Sequence, residues 1–198
     1  MMRILTLTLL ALVIPALASA DAEGAQRFIE KNHDNVSKLL AKPSSPPRDE
    51  ALTKALHAFL DYDAIAKASL GDEWASKSEA QRSEFTNLLK RLVERSYTSN
   101  MQRTLKFKVR FLGAEPAGDD FVVKTEARDT KNRRAPPVLI DYRVREIDGN
   151  YRVVDIITDG VSLVDNYRRQ FTRTIKREGW ASLIEKMNRR LESGDETD

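Results

Sequence analysis

No cysteine occurs among the 198 residues. That excludes a disulfide framework, a thiolate metal site, a lipoprotein attachment site and a cysteine nucleophile. Histidine is nearly absent too. His33 and His57 are the only two, each within an amphipathic helical pattern, and neither has metal-ligand spacing or stands beside a nucleophile motif. No metal or cofactor is expected. The longest apolar run, residues 4–17, falls short of the roughly 20 residues that a spanning helix needs, and Pro15 interrupts it. Neither sign of charge dominates, with 33 basic residues against 30 acidic and a net charge of +3. The basic residues are spread along the chain, so the clustered footprint of a nucleic-acid binder is missing.

What is present begins with an export pattern. Arg3 precedes the apolar run, and Ala18-Ser19-Ala20 places small residues where signal peptidase cuts. Residues 1–20 are therefore predicted to be a cleavable signal. Its removal takes one positive charge and leaves a soluble chain at +2. Residues 21–193 are expected to form one α+β domain and residues 194–198 a polar tail. A chain of this length hides roughly 70% of its unfolded surface without staples.

Apolar spacing then divides the chain into elements. Ala25, Phe28, Ile29, Val36, Leu39 and Leu40 repeat at helical intervals until the proline cluster at residues 43–47. Leu52, Ala55, Leu56, Phe59 and Leu60 make a second stripe. Asp61 is placed to cap a short third helix that stops at Gly71, and Ser78 with Gln81 forms a capping box for a long fourth helix. The period changes to 2 at residues 107–111 and again at 121–128, where apolar and charged residues alternate as in half-buried strands. Asp148-Gly149 accepts positive φ and joins two further strands, residues 138–147 and 151–158, as a tight hairpin. Two amphipathic helices, separated by Gly179, end the chain. Ser162 with Asp165 suits the cap of the first of these. Helices, a four-stranded antiparallel meander and more helices predict an α+β fold with one sheet face covered.

The segment from Asp148 to Phe171, DGNYRVVDIITDGVSLVDNYRRQF, carries more than periodicity requires. Its Val161-Ser162-Leu163-Val164 and Asn166-Tyr167-Arg168, then Gln170-Phe171, resemble the Gly-Val-Ser-Leu and Asn-Tyr-Arg-x-x-Phe segment of the periplasmic phospholipid-binding family of the Mla system, also known as the toluene-tolerance auxiliary component of an ABC transporter. Asp61-Tyr62-Asp63, Ala66, Leu70-Gly71, Trp74, Gln81-Arg82 and Phe85 match another part of the family pattern, so the resemblance runs from about residue 59 to 191. Tyr151, where tryptophan is common, and Asp159, where glutamate is common, depart from it. The resemblance implies a curved antiparallel sheet wrapped by helices, similar to the nuclear transport factor 2-like cone, with an internal apolar cavity for lipid tails. It also implies a non-enzymatic periplasmic shuttle that carries phospholipid between an outer-membrane Mla lipoprotein complex and an inner-membrane Mla ABC transporter complex, for outer-membrane lipid asymmetry.

On that resemblance and on the shared apolar sheet face, the expected lipid-binding residues are Tyr97, Met101, Phe107, Val109, Phe121, Val123, Ile140, Tyr142, Val153, Ile157 and Val161. Pairing the hairpin about Asp148-Gly149 sets Val144 opposite Val153, Tyr142 opposite Asp155 and Ile140 opposite Ile157. Asp155 then lies among apolar side chains. A structural role, held by hydrogen bonds, is one reading; an acid or base in a small-molecule enzyme of similar cone shape is the other. The structural role would draw on Tyr142, another side chain or backbone donors, whereas the catalytic one has no second partner beyond Tyr142. A carrier of hopanoid or other polycyclic lipid is a third reading. Arg168 and Arg169 suit either a phosphate contact or a solvated face, as do Arg133 and Arg134.

Overall fold

The computed structural model describes residues 15–193, with residues 15–20 and 97–104 described as backbone only. The expected leader thus lies outside the described residues up to residue 14, as does the whole polar tail, residues 194–198. Six helices and one sheet follow in the order α1 (Pro15–Leu40), α2 (Pro46–Phe59), α3 (Tyr62–Leu70), a 3₁₀ turn (Gly71–Trp74), α4 (Glu79–Thr104), β1 (Phe107–Ala117), β2 (Asp120–Asp129), β3 (Val138–Ile147), β4 (Asn150–Thr158), β5 (Val161–Ser162), α5 (Leu163–Glu178) and α6 (Trp180–Ser193).

Local chemistry sets these boundaries. Ser45 accepts the Arg48 amide while Pro46 and Pro47 occupy the first helical turn of α2, where their missing N–H groups cost nothing. Asp61 accepts the Ala64 amide at 2.8 Å to open α3, and Gly71 at φ 57° ends it. The expected capping box is closed in both directions: Ser78 donates its amide to Gln81 Oε1 at 2.9 Å, and Gln81 returns its amide to Ser78 Oγ at 3.3 Å. Ser162 likewise caps α5 through the Asp165 amide at 3.0 Å.

The sheet is an antiparallel meander in the order β1-β2-β3-β4-β5, one strand more than expected. Both last turns are built alike. Asp148 (φ 50°) with Gly149 (φ 74°) and Asp159 (φ 48°) with Gly160 (φ 81°) supply the paired positive φ of a tight hairpin.

Two irregularities bend this sheet. One falls between Phe111 and Gly113 on β1, the other in β4, where Val154 has no partner because Val144 pairs with Val153 and Arg143 with Asp155. The second corrects the expected register. Val144 does face Val153, but beyond the bulge Tyr142 pairs with Ile156 rather than Asp155, and Ile140 with Thr158 rather than Ile157. One inserted residue exchanges the two faces of everything that follows it.

Cross-strand partners share a face, so the covered side carries Phe111-Thr125-Ile140-Thr158, Ala114-Val123-Tyr142-Ile156 and Pro116-Phe121-Val144-Val153. Val123, Val144 and Val153 are wholly buried there. Helix α1 lies against β1 and β2, α2 and α3 against β4, and α5 joins α3 to β4. The same core cluster takes in Phe85 from α4, Phe171 from α5 and Leu183 and Met187 from α6. Phe85 stands edge-on to Phe171 at 5.3 Å between ring centres and tilts against Trp180 at 6.0 Å.

Phe85 is fully buried where three helices meet, and truncating it leaves a hole in the core cluster. Phe85→Ala is expected to destabilise the protein by about 3 to 5 kcal/mol, read as a lowered midpoint with an unchanged slope in urea unfolding.

Candidate functional site

The covered sheet face and the helices opposite it form the candidate site. Nine of the eleven expected residues have described side chains; Tyr97 and Met101 lie in the last turns of α4, and their side chains are outside the described residues. Register places Phe121, Val123, Ile140, Tyr142 and Val153 on the covered face. Val109 joins them by pairing with the buried Ala127, and Phe107 sits two residues before it. Ile157 pairs with Asp141, on the side that carries Lys124, so the β4 bulge puts Ile156 where Ile157 was expected. Val161, in β5, is 56% exposed.

An apolar space of about 50 Å³ separates β4 from the helices, lined by Leu56 and Phe59 of α2, Ile65 of α3, Val93 of α4, Ile156 of β4, and Leu163 and Val164 of α5, with Leu60 and Asp155 at its edge. That volume holds one or two waters at roughly 30 Å³ each. Tyr142 lies close by, edge-on to Phe59 at 5.9 Å, and burial pushes its phenol up to about 12. It stays neutral throughout the physiological range.

A second space of about 180 Å³ opens between α4, α5 and α6. Leu89, Leu92, Tyr167, Phe171, Leu183 and Met187 form its apolar wall, and Arg95, Lys186 and Arg190 its rim. Burial raises the Tyr167 phenol, against a smaller opposing effect of Arg190. Sequence patterning did not reveal this space, because each of its apolar residues sits on a helical stripe that reads equally well as core.

Asp155 is bound by three donors. Its Oδ2 accepts the Ser162 hydroxyl at 2.6 Å, and its Oδ1 accepts the amides of Ile156 at 2.8 Å and Val164 at 3.1 Å. The carboxylate thereby ties the bulged strand to the N-terminal turn of α5, where the helix dipole favours a negative charge. Of the partners expected for a structural role, another side chain and backbone donors are found, and Tyr142 is not among them.

Both histidines and Arg168 have defined contacts. His57 Nε2 contacts Glu94 Oε1, and its ring stands edge-on to Tyr62; His33 stands edge-on to Phe111. Arg168 donates to the Ala68 carbonyl at 2.8 Å, lies over Gly71 and pairs with Asp165. It fastens α5 to the end of α3. Among the described residues no group of acidic and histidine side chains is arranged to hold a metal ion, and no helix is long and apolar enough to cross a membrane.

Comparison with known proteins agrees with this architecture. The solved structure of a phospholipid-binding protein from Ralstonia solanacearum, in complex with a phospholipid, superposes with a TM-score of 0.72 at 22% identity, covering 85% of this chain and 97% of that one. The intermembrane phospholipid transport system binding protein MlaC of Haemophilus influenzae is 21% identical over 193 residues, 93% of this chain and 89% of its own length. The family model described as MlaC protein matches residues 29–189, most of the chain's length, and the chain belongs to that family.

Proposed function

We propose that this protein is a periplasmic phospholipid carrier, exported by the signal at residues 1–20, that shuttles lipid between the outer-membrane and inner-membrane complexes of the Mla system and performs no chemistry on it. The observation that carries the reading is the fold shared with a phospholipid-complexed protein over 85% of this chain, supported by family membership.

The physical need for such a carrier is large. A diacyl lipid in water exposes some thirty methylenes at about 0.8 kcal/mol each, a cost of more than about 20 kcal/mol. The tails belong against the covered face of the sheet, along Phe107, Val109, Phe121, Val123, Ile140, Tyr142 and Val153, with Tyr97 and Met101 of α4 opposite and Ile156 taking the part expected of Ile157. Two acyl chains are far larger than the 50 Å³ space beside Ile156. Loading therefore requires Phe59 and Val93 to move away from β4. The side-chain contacts of that wall are aliphatic and aromatic, while the Asp61 amide's hydrogen bond to the Val153 carbonyl at 3.0 Å holds the end of α2 to β4. Non-directional contacts can be remade against lipid, whereas hydrogen bonds would have to be broken.

Asp155 fits a carrier better than an enzyme. A general acid or base needs free access to a substrate proton, and this carboxylate is occupied by Ser162, Ile156 and Val164.

The mature protein purified from a Gram-negative host is expected to carry glycerophospholipid. Native mass spectrometry that finds none, together with no uptake from labelled vesicles, would overturn the carrier reading. Within the site, Ile156→Glu should reduce retained lipid several-fold, whereas Ile157→Glu and Lys124→Glu on the other side should not, with circular dichroism confirming that all three fold. Asp155→Asn should lose about 1 to 3 kcal/mol of stability yet keep vesicle-to-vesicle lipid transfer in the folded fraction. Chemically altered lipid made by the unmodified protein and absent with the Asn variant would instead establish an enzyme.

A further inference from the structure

Where α4 runs into β1, the strand ends form a continuous rim. The Thr130 amide donates to the Lys106 carbonyl at 2.8 Å, which sets the β2–β3 loop beside the start of β1. Ala127 pairs with Val138, the Asp159 amide donates to the Leu139 carbonyl at 2.9 Å, and Thr158 pairs with Val161, which carries the rim across to β5. Five strands at a spacing of about 4.8 Å give it a width of about 20 Å.

This rim exposes both aliphatic and cationic side chains. Leu105 is 45% exposed, Leu139 47% and Val161 56%, each from a different segment. Beside them stand Lys106, Lys131, Arg133 and Arg134, all exposed, and none of the four has an ion-pair partner within 4.0 Å among the described residues. Two carboxylates share the rim. Asp129 accepts the Asn132 and Lys131 amides at 2.9 and 2.7 Å, with a weaker attraction from the Lys106 and Lys131 side chains, and Asp159 accepts the Leu139 amide at 2.9 Å. The opposite end of the sheet has another character: Asp119, Asp120, Glu146 and Asp148 stand there against Arg145 and Arg152, and Asp120 engages Arg145 at 2.6 and 3.1 Å.

We propose that this rim docks on the surface of an anionic phospholipid bilayer, with Lys106, Lys131, Arg133 and Arg134 against headgroup phosphates and Leu105, Leu139 and Val161 in the interfacial layer. Charge complementarity and the kind of apolar residue both select this occupant. The centre of a protein–protein interface is depleted in charge and enriched in aromatic anchors. Here the apolar residues are half-exposed aliphatic tips set among exposed cations, the combination that binds a fluid anionic surface. The proposal goes beyond the carrier reading, because it assigns a place where the protein meets the leaflet itself, apart from the lipid it holds.

Sedimentation of the mature protein with sucrose-loaded vesicles tests it. Vesicles of phosphatidylglycerol and phosphatidylcholine in equal parts should retain the protein, vesicles of phosphatidylcholine alone should not, and added salt should release it. Each cation near an anionic leaflet raises partitioning about fivefold, equivalent to about 1 kcal/mol, so the combined Lys131→Gln, Arg133→Gln and Arg134→Gln variant should bind about a hundredfold more weakly. Leu139→Ser with Val161→Ser should weaken it further, and Glu146→Gln at the other end should change nothing. Equal binding to both vesicle types, unchanged binding by the triple variant, or retention only on vesicles bearing a reconstituted protein complex would overturn the proposal. Mass spectrometry of lipid held by each variant separates the two readings: a triple variant that keeps its lipid but leaves the vesicles supports docking alone. A protein that sediments yet never holds lipid leaves docking standing without the carrier.

Discussion

The unpartnered Val154 in β4 decides which side chains meet the helices. Before it, Val153 lies under the core with Val144; after it, Ile156 takes the covered side and Ile157 the other. A strand so interrupted needs reinforcement, because a bulge leaves one residue outside the ladder and bends the chain. Asp155 supplies it, binding the next amide on its own strand, the Ser162 hydroxyl and the α5 amide of Val164. Bulge, β5 and α5 therefore form one unit. The helix that carries Tyr167, Arg168 and Phe171 owes its position against the sheet to that carboxylate.

A protein that gives up an apolar ligand must balance dense packing against the room the ligand needs. The two requirements are divided between regions of this molecule. Around Phe85 and Leu70 the interior is fully buried and aromatic rings of three elements interlock, while Leu89 and Phe171 beside them also line the 180 Å³ space between α4, α5 and α6. Beside Ile156 the packing gives way to a small, mostly apolar space, bounded by residues of five elements. An empty apolar space forgoes dispersion contacts and so costs stability. Under the carrier reading, lipid tails restore those contacts, and the stability withheld from the unloaded protein becomes affinity.

Much of this was legible in the sequence wherever the determining interaction is local. The caps at Asp61, Ser78 and Ser162, the stop at Gly71 and the turn at Asp148-Gly149 depend on residues a few positions apart, and each forms as the spacing requires. Alternation located β1 to β4 for the same reason. The bulge escaped because Val153 and Val154 are both apolar, so the inserted residue leaves no break in composition. β5, only two residues long, has no period to detect. The role of Arg168 was hidden because its acceptor, the Ala68 carbonyl, lies a hundred residues away. In the candidate site, the sheet-face residues before the bulge were assigned to the correct face, while Ile157 was not.

The Asn166-Tyr167-Arg168 segment, which carried much of the family resemblance, proves structural in its visible contacts. Arg168 closes the end of α3 and Tyr167 stacks on Phe171 at 5.3 Å, beside the space between α4, α5 and α6. A family signature need not touch a ligand to bear on its binding. By fixing α5 to the end of α3, Arg168 holds in place the helix whose first residues, Leu163 and Val164, line the space beside Ile156. Under the carrier reading, the Asp61 amide, which donates to the Val153 carbonyl at 3.0 Å, pins the end of α2 to β4 and leaves the apolar contacts of Phe59 and Val93 as the ones that tails can replace.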